Sequence, residues 1–513
     1  MNVRSHFIRL SILAPIFIIA LSFLKPGVLW LFVIVLPLIV LGYLDINQKK
    51  QSIKRNFPVV GNLRYLLEKF RPEIMQYFVE TDTEGRPINR NNRSLIYQRA
   101  KNVTDSTPFG TQLDVYQPGY EWMAHSIYAK NASEIKGLDR VLVGGKDCKT
   151  PYSASVLNVS AMSFGSLSEN AVLALNKGAK IGGFAQNTGE GGISPYHLEN
   201  DGDLIWQIGT GYFGCRSKEG GFSAENFVEN ALIPSVKMIE LKLSQGAKPG
   251  HGGILPAKKN TLEIAKIRNV EPFKDVLSPP FHTAFKDGHG MMHFIQKLRE
   301  LSGGKPIGFK LCIGKKDEFI DICQAMIDTG IKPDFITIDG GEGGTGAAPV
   351  EFSNSLGLPL YDGLTFAYNT LVGFDIKDDI KLIASGKIIT GFDMIRALSL
   401  GADICSSARA MMLAIGCIQA LECNKNTCPV GVATQDKGLM KGLDVEDKAQ
   451  RTANYQTKTV HSFLDLLAAS GISKREDITR ELIFKRVSSS LTKTYEEIYP
   501  SVQKGSLLKK EVV

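Results

Sequence analysis

Ile307-Gly-Phe-Lys-Leu-Cys-Ile313, the helix-forming stretch Glu318–Thr329, and Phe335-Ile-Thr-Ile-Asp339-Gly-Gly-Glu-Gly-Gly-Thr-Gly346 together decide the fold. A short apolar, β-rich run gives way to a helical stretch, then to a second run that breaks off into glycines. From about residue 151 the same rhythm repeats. The β-rich runs are Ser155–Phe164, Gly183–Thr188, Lys237–Leu243, Val276–Pro279, Ile307–Cys312, Phe335–Asp339, Lys381–Ser385 and Ile404–Ala408. Helical stretches lie between them, at Leu167–Lys180, Thr261–Arg268, His289–Leu301, Glu318–Thr329 and Phe392–Leu400. Eight strand-then-helix units over ~270 residues match an α/β fold of the (β/α)8 TIM-barrel type. One miscounted strand would instead permit a doubly wound open sheet.

In such a barrel the chemistry sits on loops at the C-terminal strand ends. The polar signals fall there. Met162 and Ser163 close the first run, and Asn187-Thr-Gly-Glu190-Gly-Gly192 closes the second. Gln245-Gly-Ala-Lys248-Pro-Gly-His251-Gly-Gly253 and Ser278-Pro-Pro280 follow the next two. Ser385-Gly386, Thr390-Gly391 and Ser406-Ser407 lie after or on the last two runs, where small residues and a helix N-terminus suit a phosphate. The five glycines of the sixth loop suit a flat ring close to backbone. A Rossmann spacing is absent, because Gly340-Gly-Glu-Gly-Gly-Thr-Gly has the wrong order. Phosphate plus ring in a barrel therefore points to FMN. The residues expected to hold it are Met162, Ser163, Asn187, Lys310, Asp339, Gly340, Gly341, Ser385, Gly386, Gly391, Ser406 and Ser407.

Individual residues admit more than one reading. Lys310, on an otherwise apolar strand, either stabilises negative charge on reduced flavin or pairs with Asp339. Lys248 either takes a substrate carboxylate or is an exposed loop lysine. Glu190 is an acid/base group, a gating contact or a turn carboxylate. His251 and His282 lack carboxylate neighbours in sequence and are not expected to bind metal; His197 is expected at the surface. Cys417, Cys423 and Cys428 have the spacing C-x5-C-x4-C-P. Three thiolates suit an iron–sulfur cluster lacking one corner, whereas structural zinc takes four ligands. The alternative is three buried cysteines acting as small hydrophobes.

Composition sets outer bounds. The 513 residues are 43% hydrophobic with a net charge of +8. No basic stripe interleaved with aromatics is present, which argues against nucleic acid. Eight cysteines are no disulfide scaffold, and the five outside the trio (Cys148, Cys215, Cys312, Cys323, Cys405) are scattered, as in a reducing compartment. Near the N-terminus, Leu10–Leu24 and Val28–Leu44 are almost wholly apolar and are separated by Lys25-Pro26-Gly27. Each falls short of the ~20 residues of a standard span. Together they read as a transmembrane hairpin whose flanking arginines and lysines place both ends in the cytoplasm. A signal peptide cut near Ala20-Leu21-Ser22 is the rival, as is an interfacial anchor. The expected organisation is a hairpin over 1–48, a helical and irregular lead-in over 49–150, a barrel over 151–440 and a helical extension over 441–513.

These motifs resemble the synthase domain of glutamate synthases. The likeness runs from about 151 to 440. It includes Met162-Ser-Phe-Gly-Ser-Leu-Ser168, Asn187-Thr-Gly-Glu-Gly-Gly192, Gln245-Gly-Ala-Lys-Pro-Gly250, Ser278-Pro-Pro280, Gly343-Gly-Thr-Gly-Ala347 and Cys417 to Gln435. The resemblance implies a barrel carrying FMN, with a [3Fe-4S] cluster on Cys417, Cys423 and Cys428. It implies an oxidoreductase of the CH–NH2 class that reduces 2-iminoglutarate, from 2-oxoglutarate and ammonia, to L-glutamate. Electrons enter from ferredoxin or a reductase subunit. Lys248 and Arg268 match the family's carboxylate-gripping residues, Lys310 its flavin lysine, and Glu190 joins the catalytic set.

The chain also departs from the family. Its loop Ala247-Lys-Pro-Gly-His251-Gly-Gly-Ile254 carries histidine and isoleucine where the family has glutamate and glutamine. That keeps open another 2-oxo acid or amine, as in N-methylglutamate synthase-like proteins, and a membrane electron-transfer subunit that makes no product. The chain begins Met1-Asn2-Val3, without the glutaminase domain and its cysteine nucleophile. Nitrogen is then expected from ammonia or a partner.

Overall fold

The computed structural model describes residues 3–346 and 348–508. The chain divides into two units, 1–90 and 91–513.

In the first unit, α1 (Val3–Ser22) and α2 (Phe32–Asn47) are joined by a 3-10 turn over Pro26–Leu31. The helical segments, Val3–Ser22 (20 residues) and Pro26–Asn47 (22 residues), exceed the apolar runs, and each can cross a bilayer by length and composition. The difference arises because helix continues through the polar residues that bound the apolar stretch. A Cβ on Gly42 would sit 2.0 Å from the Phe7 ring, so glycine is what lets the two helices meet there.

In the second unit eight parallel strands close into a barrel in chain order. They are β1 (Leu157–Val159), β2 (Gln186–Asn187), β3 (Leu204–Ile208), β4 (Val236–Lys242), β5 (Ile307–Leu311), β6 (Phe335–Asp339), β7 (Lys381–Ser385) and β8 (Ile404–Ser407). β8 returns to β1, with Cys405 opposite Leu157. Two strand expectations are corrected. Val276–Pro279 is no barrel strand; Val276–Leu277 pairs antiparallel with Ile254–Leu255. The missing strand is β3, and the run expected third, Lys237–Leu243, is the fourth. Between β2 and β3 lies only the four-residue helix Pro195–Leu198, so the strand-then-helix rhythm passes over β3.

Side chains alternate across a strand, and the barrel's inward faces form layers. At the N-terminal end Ile205, Met238, Phe335, Ile383 and Ile404 pack with Val141, Val143, Tyr152 and Ala154. The last four belong to an antiparallel hairpin, Arg140–Val143 with Tyr152–Ser155, which plugs this end. Two residues further along, the inward side chains are polar. The buried Glu240 carboxylate accepts from Asn187 Nδ2 (2.9 Å), Gln207 Nε2 (2.5 Å) and Thr337 Oγ1 (2.6 Å). Two residues beyond that come Lys242 and Asp339, at the C-terminal mouth.

Helices clothe the outside. α3 (Glu169–Gly182) starts at Ser168, whose side chain accepts from Ala171 N–H, and ends at Gly183 with φ +67°. α4 (Leu262–Arg268) lies between β4 and β5, and α5 (Gly391–Ser399) follows β7. The C-terminal stretch is not wholly helical. It holds the 25-residue α6 (Val445–Ala469). It also holds strands Ile483–Arg486 and Thr492–Thr494, which form a small sheet with Glu121–Met123.

Candidate active site

A cleft opens at the C-terminal mouth, with about 1140 Å³ of non-atom space including its open solvent. Met162, Ser163, Glu190, Lys248, Arg268, Lys310 and Cys423, all expected site residues, line it. The first two stand on the loop after β1.

Glu190, on the loop after β2, is the centre of the charge distribution. Its Oε1 lies 3.0 Å from Lys242 Nζ. A Cβ on Gly209 would fall 2.7 Å from Glu190 Oε2, so that glycine makes room for the carboxylate. Burial pushes its pKa up, but Lys242, Lys248 and Arg268 outweigh this and hold the carboxyl below the usual range. Lys248 is 2% exposed and donates to Gly252 O at 2.8 Å. Burial lowers its pKa, with Glu190 opposing. Arg268 ends α4, buried; it donates to Phe164 O at 2.9 Å and lies 5.1 Å from the Phe213 ring centroid. Burial brings its pKa down to about 10, again against Glu190. Its Nε is buried and has no hydrogen-bond partner among the described residues. A desolvated donor of that kind fits a ligand carboxylate.

Lys310 Nζ is 3.4 Å from Asp339 Oδ1, so the ion-pair reading describes the structure. Lys310 still lines the cleft, while Asp339 Oδ2 is tied to Gly246 N–H at 2.8 Å. Asn187 belongs to the polar layer beneath, bonded to Glu240. The phosphate niche is more crowded than its sequence suggests. A Cβ on Gly340 would lie 2.3 Å from Glu342 Oε2, and one on Gly386 3.4 Å from Glu342 Cδ. The Glu342 carboxylate, which accepts Leu360 N–H at 2.9 Å, thus stands between the loops after β6 and β7. Gly341 faces the backbone carbonyls of Leu356 to Leu358. Ser385 Oγ is 3.1 Å from Ser160 Oγ, and Ser407 donates to Ile388 O at 2.6 Å; Ser406 stands beside them on β8. Gly391 abuts α6, since its Cβ would be 2.5 Å from Phe463 N. The basic upper layer therefore fits the ring end of FMN. Beside the serines and glycines expected to hold a phosphate, the Glu342 carboxylate occupies the space next to Gly340 and Gly386.

Cys417, Cys423 and Cys428 share one irregular loop. Burial, with the other two thiols adding to it, pushes the Cys417 thiol up to about 12. Cys423 is also raised, by burial and then by Cys428, against Lys259. The trio fits a cluster by donor type and by its place on one loop. Among the described residues, however, no three His, Cys, Asp or Glu side chains converge in a metal-holding group.

Three participants escape sequence reading. Lys242 reads as the charged end of a strand, and Glu240 as a charge within one. Their alternation, Glu240-Leu-Lys242, on a strand covered on both faces was the available signal. Lys259 Nζ, buried, donates to Cys423 O (2.9 Å), Ala433 O (3.1 Å) and Ser166 O (3.3 Å), which ties the cysteine loop to the cleft. His197 is not at the surface: it is fully buried, accepts from Ser194 N–H at Nδ1, and burial lowers its pKa to about 3. His282 is buried too, its pKa lowered to about 4. His251 packs edge-on against Phe352.

The family model described as a conserved region in glutamate synthase matches residues 123–473. The glutamate synthase large subunit-like protein YerD of Bacillus subtilis is 38% identical over 501 residues, covering 90% of this chain and 95% of that protein. The archaeal glutamate synthase (NADPH) of Methanocaldococcus jannaschii is 33% identical, covering 62% of this chain and 60% of its own length. The glutamate synthase (NADPH) large chain of B. subtilis is 35% identical, and the match covers 62% of this chain and 20% of that one.

Proposed function

This chain belongs to the glutamate synthase family, and from that premise we propose that it reduces 2-iminoglutarate, formed from 2-oxoglutarate and ammonia, to L-glutamate. FMN in the cleft and a [3Fe-4S] cluster on Cys417, Cys423 and Cys428 serve it, with electrons from ferredoxin or a reductase partner. The N-terminal hairpin anchors it in a membrane with the barrel on the cytoplasmic side.

One observation carries the reading. Lys242, Lys248 and Arg268 surround a single carboxylate, Glu190. Uncompensated buried charge is costly, and the surplus is what a dicarboxylate neutralises. Arg268 Nε and Lys248 Nζ take the carboxylates through charge-assisted hydrogen bonds. Glu190, kept ionised by its cations, accepts an N–H from the imine nitrogen and fixes its plane. Lys310 lends positive charge to the ring end of the cofactor site. FMN, when bound, supplies the hydride. Glu240 and its three donors hold the floor beneath.

A second reading rests on Ile254, which lines the same cleft. An isoleucine there offers no hydrogen bond where the family's glutamine does, which favours another 2-oxo acid or amine. A membrane electron-transfer subunit would turn over none of them. Anaerobic turnover of the detergent-solubilised protein with reduced ferredoxin separates these readings. Glutamate formed from 2-oxoglutarate and ammonium supports the first. Turnover confined to other pairs supports the second, and none supports the third. Cys423→Ser should lose iron and keep flavin; unchanged iron content would remove the ligand assignment.

A further inference from the structure

Among the described residues, the first unit carries an exposed apolar stripe. After α2 the chain forms helices over Ser52–Asn56, Gly61–Lys69 and Arg71–Ile74, with a further turn to Val79. Leu63, the pair Leu66 and Leu67, Phe70, Ile74, and the pair Tyr77 and Phe78 recur every three or four positions along these consecutive segments, the spacing of one helical face. All are exposed, Leu63 at 59% and Phe78 at 85%. A soluble amphipathic helix turns that face to a core; this one turns it out.

Two features say what covers it. The first is charge. Lys49, Lys50, Lys54 and Arg55 stand just before the stripe, and within 57–79 there are three basic residues (Arg64, Lys69, Arg71) and two acidic ones (Glu68, Glu73). The second is continuity with the hairpin. Asp45, at the end of α2, accepts Val59 N–H (2.9 Å) and Asn62 Nδ2 (2.6 Å), so the stripe begins where the bilayer-length helix ends. Lys54 lies over the Tyr65 ring at 5.0 Å, and Arg64 pairs with Glu68 at 3.1 Å, which leaves the cationic excess beside the apolar face.

We propose that residues 57–79 lie in the headgroup layer of the membrane that holds the hairpin, apolar stripe inward, and select anionic lipid. An amphipathic segment with a basic polar face binds in this way through buried apolar area and attraction to acidic headgroups. The inference rests on the hairpin's membrane placement and not on the reaction.

The test is amide hydrogen exchange of the full chain in nanodiscs of phosphatidylcholine alone and of equimolar phosphatidylcholine and phosphatidylglycerol. Amides of 61–79 should exchange about tenfold more slowly with phosphatidylglycerol, and high salt should erase much of the difference. Leu66→Glu with Phe70→Glu should abolish it while the amides of 3–47 and of the barrel strands keep their protection. Equal rates in the two lipids overturn the proposal. So does equal protection in detergent, which would mean that the barrel covers the stripe. Protection that rises with protein concentration also overturns it, because a second copy would then be the occupant. Unprotected amides over 3–47 in both nanodiscs would instead overturn the hairpin's placement, and this proposal with it.

Discussion

The two ends of the barrel are made from the same strands and do opposite things. At the N-terminal end Met238 and Phe335 pack against the Arg140–Ser155 hairpin in an apolar plug. Four residues along the same strands stand Lys242 and Asp339, buried charges held by partners on neighbouring loops and strands. One end gains stability from burying hydrocarbon. The other holds charge where it is expensive, in ion pairs that an acidic ligand would help to offset. The comparison separates the residues that keep the fold from those that do its chemistry.

Variants at the two ends should separate in the same way. Arg268→Ala should lower kcat/KM for the 2-oxo acid by about a thousandfold, ~4 kcal/mol, while the urea midpoint moves far less. Steady-state kinetics and unfolding on one preparation check both halves. Phe335→Ala should do the reverse, costing about 3–4 kcal/mol of stability with little change in turnover per folded molecule. If either variant lost both properties equally, the division between the ends would fail.

A smaller effect concerns pH. His197 and His282 are buried neutral, with pKa values lowered to about 3 and about 4 from an ordinary 6.5. The unfolded chain binds those protons first. Their contribution to stability is therefore complete above 6.5 and declines as the pH falls toward the folded values. Urea unfolding across that window should show the decline, and His197→Asn should flatten it. The smallest effect is Ile254→Gln, which should raise 2-oxoglutarate turnover about tenfold if a missing hydrogen bond limits binding. No change there would favour a different substrate.

Much of this division was legible in the chain. Parallel strands that end in glycine loops announce themselves, and the cysteine spacing marks its loop. What escaped was set by contacts distant in sequence. β3 was passed over because the connection before it lacks a long helix. Gly391 reads as part of a phosphate cradle, yet its lack of a Cβ is required by Phe463 on α6. Lys242 acquires meaning only beside Glu190 from another loop, and the Glu342 carboxylate in the niche is a feature of folded loops. Charge partners, unlike periodicity, have no local signature.

Isothermal titration of the purified holoprotein with 2-oxoglutarate and with 2-oxobutyrate, a monocarboxylate of similar chain, tests the surplus of buried positive charge most directly. The dicarboxylate should bind about a hundredfold or more tightly, and Lys248→Ala should remove the preference. Equal affinity for the two acids, or a preference that survives Lys248→Ala and Arg268→Ala together, would contradict it.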